Sequence, residues 1–337
     1  MRPSLGRGVP LIEIRGLQGF RKCCFVAMAP LEHLNTTNLS MIGNIHAMFI
    51  ATLIAPKGAL NPALVENLRN AWGGGDAIWL SPDEAAEFAL TDMPDNRWGV
   101  WEDLQELRVD LIVQPADGRR KKMLLADMDS TMIQQECIDE LADEAGIGDH
   151  VKDITARAMN GEIDFDDALI ERVRLLQDLP ATIVGKVLEE RITYMPGGSV
   201  LLATMKAHGA HAALVSGGFT AFTARVAAEL GFDENRANSL IVTGGKLTGE
   251  VGMPILGRQA KIDALEQITA RIGISEEDVI AVGDGANDLG MLGRAGTGVA
   301  LHAKPSVASE CEVRVNHGDL TALLFLQGYS ADEFIFA

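Results

Sequence analysis

The chain has 337 residues, of which 47% are hydrophobic, and a formal net charge of −18 at pH 7. This length predicts two or three domains, and the apolar content is sufficient for packed cores. The negative charge argues against nucleic acid or anionic membranes as general partners, so an anionic substrate would need a locally positive pocket.

The first 47 residues carry five basic residues ahead of a short apolar patch at 24–30. A secretory signal has a longer apolar region and a clear small-residue cleavage site, so we expect no export. Two explanations stay open for residues 1–47: a disordered extension, or an overcalled start codon with Met41 or Met48 as the true start. No apolar run in the sequence approaches the ~20 residues that cross a membrane.

The next segment, 48–116, alternates short strands and helices, which predicts a small α+β domain. Asn61 is the expected cap of its first helix, and the glycines at 73–75 end that helix. Strands are predicted at 48–54, 77–80 and 109–113, and helices at 62–72, 82–90 and 98–107. The basic run 119–122 is expected to be an exposed turn that leads into the next domain.

From residue 122 onward the pattern changes to long strand–helix alternation, which is typical of a parallel sheet. Residues 133–196 have helical periodicity with capping signals at Asp164 and Pro180, which predicts a helical insertion after the first strand. The Gly-Gly-Lys sequence at 244–246 separates two β-rich runs and predicts a hairpin. The four predicted parallel strands are 123–126, 212–215, 279–282 and 298–301.

Two of these strands end in paired acids. The first runs into Asp127 and Asp129, and the third runs into Asp284 and Asp288. Carboxylates at this spacing repel each other, and a hard divalent cation is the usual compensator. Because ligands bind beyond the carboxyl ends of parallel strands, one acidic metal site is predicted at that edge of the sheet. The four cysteines show no zinc-type spacing and are typical of reduced thiols in a cytoplasmic protein: Cys23, Cys24, Cys137 and Cys311.

Four motifs, in this order, resemble the haloacid dehalogenase (HAD) superfamily of phosphotransferases over roughly residues 122–330. They are Asp127-Met128-Asp129-Ser130-Thr131, Ser216-Gly217-Gly218, Lys261, and Gly283-Asp284-Gly285-Ala286-Asn287-Asp288. Within the superfamily the chain is similar to the phosphoserine phosphatase family. The stretches that carry this closer resemblance are 132–140, 159–161, Phe165, Arg172-Val173, 175–180 and 283–292.

The resemblance implies a Rossmann-like α/β core with a parallel sheet at 122–132 and 197–330, and a helical cap at 133–196. It implies hydrolysis of O-phospho-L-serine to L-serine and phosphate through an aspartyl-phosphate, the last step of serine biosynthesis. Extra N-terminal domains in this family often resemble small amino-acid-binding (ACT-like) modules. Residues 48–116 match that pattern clearly only in one strand–helix–strand, so serine regulation there is a hypothesis.

The acidic residues acquire individual roles from the resemblance. Asp127 would be the nucleophile, and Asp129 would protonate the leaving oxygen and then deprotonate the attacking water. A magnesium ion would screen the phosphate charge, held by the side chains of Asp127 and Asp284 and the backbone carbonyl of Asp129. Asp288 would hold water molecules of that metal.

Phosphate contacts are implied as well. Ser216 and the amides of Gly217 and Gly218 would surround the phosphoryl oxygens. Lys261 would neutralise the phosphate and the aspartyl intermediate. Asn287 either orients the substrate or caps the helix that follows it.

Substrate selection is expected from the cap. Glu136 would receive the ammonium group of phosphoserine, and Arg172 would bind its carboxylate as a planar two-pronged donor. Phe165 and Met159 either line the pocket or belong to the core.

Two alternatives stay open. The first is a related phosphatase or phosphotransferase of the same superfamily that acts on another small amino-acid phosphate. Such a phosphotransferase could use homoserine as the acceptor of the phosphoryl group. The second is a regulatory protein with an inert core, against which the complete set of Asp127, Asp129, Lys261 and Asp284 argues. The sequence does not distinguish magnesium from manganese, and it gives no oligomeric state, with a homodimer as one option.

Overall fold

The structure is a computed structural model that describes residues 48–159 and 162–336. The predicted extension with Met41, the cysteines Cys23 and Cys24, and the Asn160-Gly161 pair therefore lie outside the described residues. The chain divides into two compact units, with the division between Asp117 and Gly118.

The first unit contains one antiparallel sheet of four strands in the order β2-β3-β1-β4. The succession βαββαβ is that of a ferredoxin-like fold. As predicted, Asn61 caps α1 by accepting a hydrogen bond from the Ala63 N–H at 2.9 Å, and Gly73 ends α1 in the left-handed conformation. The elements are β1 Phe49–Ile54, α1 Pro62–Trp72, β2 Ile78–Ser81, β3 Ala85–Leu90, α2 Arg97–Gln105 and β4 Asp110–Pro115.

The helix predicted at 82–90 is wrong, because Ala85–Leu90 is the strand β3. It pairs with β1 over its whole length, from Phe49 opposite Leu90 to Ile54 opposite Ala85. Ala86, Phe88 and Leu90 point into the hydrophobic core, a spacing of two residues that belongs to a strand. The residue types of this segment, Ala, Glu and Leu, favour helices, and pairing with β1 overrides that preference.

The second unit is built on a parallel sheet of six strands in the order β12-β11-β10-β5-β6-β7. The four predicted parallel strands are its central four, and the predicted hairpin is present as β8 and β9. Its strands are β5 Met123–Ala126, β6 His211–Phe219, β7 Glu234–Asn238, β8 Leu240–Thr243, β9 Lys246–Val251, β10 Val279–Gly283, β11 Thr297–Leu301 and β12 Val313–Val315.

Helices pack around this sheet, and four of them lie within the predicted insertion between β5 and β6. No helix among the described residues is both long enough and apolar enough to cross a bilayer. The helices are α3 Cys137–Glu144, α4 Gly148–Met159, α5 Phe165–Arg174, α6 Ile183–Glu190, α7 Gly198–Ala207, α8 Thr220–Leu230, α9 Arg258–Ile272, α10 Leu289–Arg294, α11 Pro305–Ala308 and α12 Ala322–Leu326.

The centre of the sheet determines where polar side chains can gather. β5 and β10 are buried at every position, as expected for parallel strands covered on both faces. Ala126, the last residue of β5, pairs with Val282 on one side and Leu214 on the other. The loops that follow β5 and β10, and the last residues of β6 beyond its pairing with β5, therefore lie at the same edge of the sheet.

Candidate active site

The loop after β5 holds its two aspartates in different surroundings. Asp127 is 5% exposed, and its N–H donates to the Val282 carbonyl at 3.0 Å, which extends the β5–β10 ladder by one bond. Asp129 lies at the start of α3, where its Oδ1 accepts a hydrogen bond from the Cys137 N–H at 2.9 Å. A helix N-terminus favours a carboxylate at this position, because its first N–H groups have no partner within the helix.

A buried lysine lies between two of the aspartates. Lys261, in the first turn of α9, is 1% exposed. Its Nζ lies 2.6 Å from Asp127 Oδ1 and 2.5 Å from Asp288 Oδ1. Burial alone would lower the pKa of Lys261, but these two carboxylates outweigh burial and raise it, so the ammonium stays charged. Asp288 has no exposed surface, and its Oδ2 accepts the Gly285 N–H at 3.0 Å.

The acids outnumber this one cation. Burial, reinforced by the Asp288 carboxylate, raises the pKa of Asp127 well above its usual range, and Lys261 compensates only in part. Burial, followed by the charges of Asp288 and Glu136, raises the pKa of Asp284 to about 6. Both shifts disfavour the ionised carboxylates, so added positive charge would stabilise the cluster.

The donor atoms of this cluster suit a divalent cation. Within the described part of the chain, Asp127, Asp284 and Asp288 form the group that could hold a metal ion, with one carboxylate oxygen from each within 4.8 Å of the others. Carboxylate oxygens are the ligands that hard cations prefer. The group includes Asp288, which was predicted to hold metal waters. The predicted carbonyl ligand, that of Asp129, belongs to the same loop as Asp127.

The last residues of β6 reach the same place. Ser216 is 2% exposed, and its Oγ donates to Asp129 Oδ2 at 3.3 Å. The Gly218 N–H in turn donates to Ser216 Oγ at 2.9 Å. A Cβ on Gly218 would lie 2.7 Å from Asp129 Oδ2, so only glycine permits this close approach. Gly217 is the neighbouring residue on the same turn of backbone.

Helical-insertion residues lie over these loops. Glu136, directly before α3, accepts a hydrogen bond from Ser130 Oγ at 2.8 Å. Burial, followed by the charge of Glu136, raises the pKa of Asp129 to about 6, and hydrogen bonds from the Cys137 side chain and backbone oppose this rise. Burial lowers the pKa of Arg172, opposed by the carboxylates of Asp139, Glu136 and Asp129. Glu136 and Arg172 thus act electrostatically on the same carboxyl group, that of Asp129.

The remaining predicted residues are placed less centrally. Phe165 is 37% exposed, and its ring packs against Gly217, where a Cβ would lie 3.1 Å from the ring. Asn287 folds its side chain over Gly285 in the loop before α10. The cap position of α10 is occupied by Asp288, so the alternative of Asn287 as that cap is wrong. The side chain of Met159 lies outside the described part of the structure.

One polar contact of the site was not predicted. Thr131 is fully buried, and its hydroxyl donates to Asp284 Oδ1 at 3.2 Å, which joins the β5 loop to the β10 loop. Thr131 lies inside the first acidic motif, and its nearness to the aspartates was the only signal in the sequence.

The fold and site together define a class of α/β hydrolase. Its features are a parallel sheet with acidic loops at one edge, a buried lysine between carboxylates, and a helical insertion after the first strand of that sheet. The family model for haloacid dehalogenase-like hydrolases matches residues 124–293, and the chain belongs to this family. The family generally uses a divalent metal, in agreement with the carboxylate cluster.

Individual relatives narrow the resemblance. The chain is 41% identical over 246 residues to a phosphoserine phosphatase of Archaeoglobus fulgidus, a match that covers 72% of this chain and 71% of the relative. A HAD family hydrolase from Salmonella enterica serovar Typhi has a similar structure, with a TM-score of 0.76 and 30% identity over 83% of this chain and 98% of that one. A structure described as a phospho-aspartyl intermediate analogue of phosphoserine phosphatase is 42% identical, with a TM-score of 0.57, over 61% of this chain and 98% of that chain.

Proposed function

We propose that the protein is a magnesium-dependent phosphatase that hydrolyses O-phospho-L-serine to L-serine and phosphate through an aspartyl-phosphate. The observation that carries this proposal is the pairing of two aspartates with different partners at one sheet edge. Asp127 contacts the Lys261 ammonium, whereas Asp129 contacts Ser216 and the start of α3. The similarity to phosphoserine phosphatases, including one described with a phospho-aspartyl analogue, supports the same reaction.

Asp127 is the proposed nucleophile. Its carboxylate oxygen attacks phosphorus, the bond from phosphorus to the serine oxygen breaks, and an aspartyl-phosphate forms. Water then attacks the same phosphorus, which releases phosphate and restores the Asp127 carboxylate. Lys261, held at 2.6 Å from Asp127, provides a positive charge beside the reacting group in both steps.

Asp129 is the proposed acid and base. It gives a proton to the leaving serine oxygen in the first step and takes a proton from the attacking water in the second. A pKa of about 6 suits both directions, because a measurable fraction of the group is protonated near neutral pH.

Magnesium would be held by the side chains of Asp127 and Asp284 and the backbone carbonyl of Asp129, with Asp288 holding water molecules of the metal, and it would supply charge neutralisation for the phosphate. The assignment is supported by the nearness of the Asp127, Asp284 and Asp288 carboxylates to one another and by the raised pKa values of Asp127 and Asp284. Ser216, the amides of Gly217 and Gly218, and Asn287 are proposed to contact the phosphoryl group or the substrate.

Substrate choice is proposed to depend on Glu136 for the ammonium group and Arg172 for the carboxylate. Glu136 and Arg172 both interact electrostatically with Asp129, the proposed acid, and this interaction supports their assignment to the substrate pocket. In this proposal residues 133–196 form the cap, residues 122–132 and 197–330 form the core, and the enzyme completes serine biosynthesis in the cytoplasm.

The experiment is a comparison of phosphate release from L-phosphoserine, L-phosphothreonine, glucose 6-phosphate and p-nitrophenyl phosphate in the presence of magnesium. We expect a strong preference for L-phosphoserine in kcat/KM. A preference for another small amino-acid phosphate, or transfer to homoserine, would favour the related enzyme named above. Fast turnover of the sugar phosphate would contradict the roles of Glu136 and Arg172.

Serine regulation by the first unit is a separate proposal. It is supported by the complete βαββαβ succession of that unit, the second half of which was not recognised in the sequence. L-Serine should then inhibit the full chain more strongly than a chain that begins at Gly118. Equal inhibition of the two would discard the proposal, because product inhibition at the active site would explain both.

A further inference from the structure

A buried amide at the end of β7 joins two segments of the site. Asn238 is 2% exposed. Its Nδ2 donates to the Gly217 carbonyl at 2.8 Å and to the Leu256 carbonyl at 3.1 Å, and its Oδ1 accepts the Leu256 N–H at 2.7 Å. Both donors and one acceptor position of the amide are therefore used within the protein.

The hydrogen bond from Asn238 to the Gly217 carbonyl lies where the ladder between β6 and β7 is interrupted. β6 and β7 pair regularly from Ala213 to Val215, and the next paired residue of β6 is Phe219, opposite Asn238. Residues 216–218 thus leave the ladder at the point where they turn toward Asp129. The side chain of Asn238 provides the Gly217 carbonyl with the partner that the ladder no longer supplies.

The same peptide unit is held at its other end. The Gly217 carbonyl and the Gly218 N–H belong to one planar peptide, and the N–H donates to Ser216 Oγ. Two bonds in opposite directions fix the orientation of that plane. Loss of the Asn238 bond would let the plane rotate, and both Ser216 and its contact with Asp129 would change with it.

The other two bonds hold the segment that leads into α9. Leu256 lies two residues before α9, and Lys261 lies in the first turn of that helix. The ring of Phe165 packs against both joined segments, since a Cβ on Gly217 or on Gly257 would lie 3.1 or 3.2 Å from it. Asn238 therefore fixes the distance between the two segments that the Phe165 ring contacts.

We propose that Asn238 is a positioning residue for phosphate binding, which holds the Gly217–Gly218 peptide and the start of α9 at a fixed separation. The inference rests on the proposed function, because it takes residues 216–218 and Lys261 to be the groups that contact the phosphate. Asn238 does not itself contact the phosphate in this proposal.

The test uses full-length Asn238→Ala and Asn238→Asp. The aspartate has the same shape but places oxygen, not N–H, against the two carbonyls. Thr223→Val is the matched control, because it removes the 2.9 Å hydrogen bond that the buried Thr223 hydroxyl donates to Asn235, on the same strand as Asn238, and leaves the site untouched. Inorganic phosphate and L-serine are each titrated calorimetrically with magnesium present, below the melting temperature of every variant, and kcat and KM are measured with L-phosphoserine.

We expect both Asn238 variants to bind phosphate about 10- to 100-fold more weakly and to lose kcat by a similar factor, as small misplacements of binding groups do. L-Serine affinity should stay within about twofold of wild type, and Thr223→Val should match wild type in every binding constant. Unchanged phosphate affinity in both variants, or a parallel loss of phosphate and serine affinity, would overturn the assignment. A wild type that binds phosphate but does not hydrolyse phosphoserine would instead refute the proposed function alone.

Discussion

Lys261→Met removes the only cation that contacts Asp127 and Asp288 among the described residues, and leaves two buried carboxylates without a positive charge beside them. The methionine has a similar length, so packing changes little, and the effect is mainly that of charge. Breaking a buried ion pair by removing one partner costs about 3–5 kcal/mol. For a unit of this size that corresponds to a melting temperature lower by roughly 6–20 °C.

The stability that Lys261→Met loses should depend on pH. Without Lys261, burial and mutual repulsion hold the pKa of Asp127 above its unfolded value, as they already do in part in the native protein. A carboxyl group with a raised folded pKa stabilises the fold when protonated and loses that contribution as pH rises through the folded pKa. The destabilisation should therefore be largest above neutral pH and should shrink as pH falls.

The assay is thermal unfolding of wild type, Lys261→Met and Lys261→Met/Asp288→Asn at pH 5 and pH 8 in EDTA. The double variant contains one buried carboxylate fewer, so it should recover part of the stability lost by the single variant. A deficit below about 1 kcal/mol that is equal at both pH values, the range of exposed ion pairs, would refute the reasoning, because Lys261 would then not be compensating buried negative charge.

Three further outcomes are expected. Gly218→Ala should reduce kcat about 100-fold, because the added Cβ would lie 2.7 Å from Asp129 Oδ2. Gly185→Ala on α6 has open space around it and should leave kcat unchanged. Equal kcat values in the two variants would contradict the close approach of the Gly218 backbone to Asp129. Arg172→Lys should raise KM for L-phosphoserine about tenfold and leave KM for p-nitrophenyl phosphate unchanged, because lysine lacks the planar fork; an equal rise for both esters would argue against carboxylate recognition. Magnesium affinity should fall as pH falls through about 6, because Asp284 must lose its proton to bind the metal. Calorimetric titration with magnesium in two buffers should show the release of this proton, and an affinity that does not change with pH would contradict the prediction.

The acidic loops and the central strands could be predicted because their signals are local. An apolar run followed by two acids indicates a buried strand with its ligand-binding end, and β5 and β10 both have this pattern. The edge strands lack it. β7, with the sequence Glu-Asn-Arg-Ala-Asn, is mostly polar, and β12 has three residues, so neither contains an apolar run that periodicity could detect.

Two other features depended on contacts that a single sequence does not contain. The segment Ala85–Leu90 consists largely of helix-favouring residues and is a strand because β1 pairs with it along its whole length. Asn238 is one polar residue at the end of a polar strand, and only the folded chain places it between Gly217 and Leu256.

Asp127 is proposed to carry the phosphoryl group during turnover. The most direct measurement is to mix the full-length protein with phosphorus-labelled L-phosphoserine and magnesium, quench with acid within one turnover, and map the labelled peptide. We expect label on Asp127 that hydroxylamine removes, and neither label nor phosphate release in Asp127→Asn. Turnover that persists in Asp127→Asn, or label on a different residue, would contradict the account.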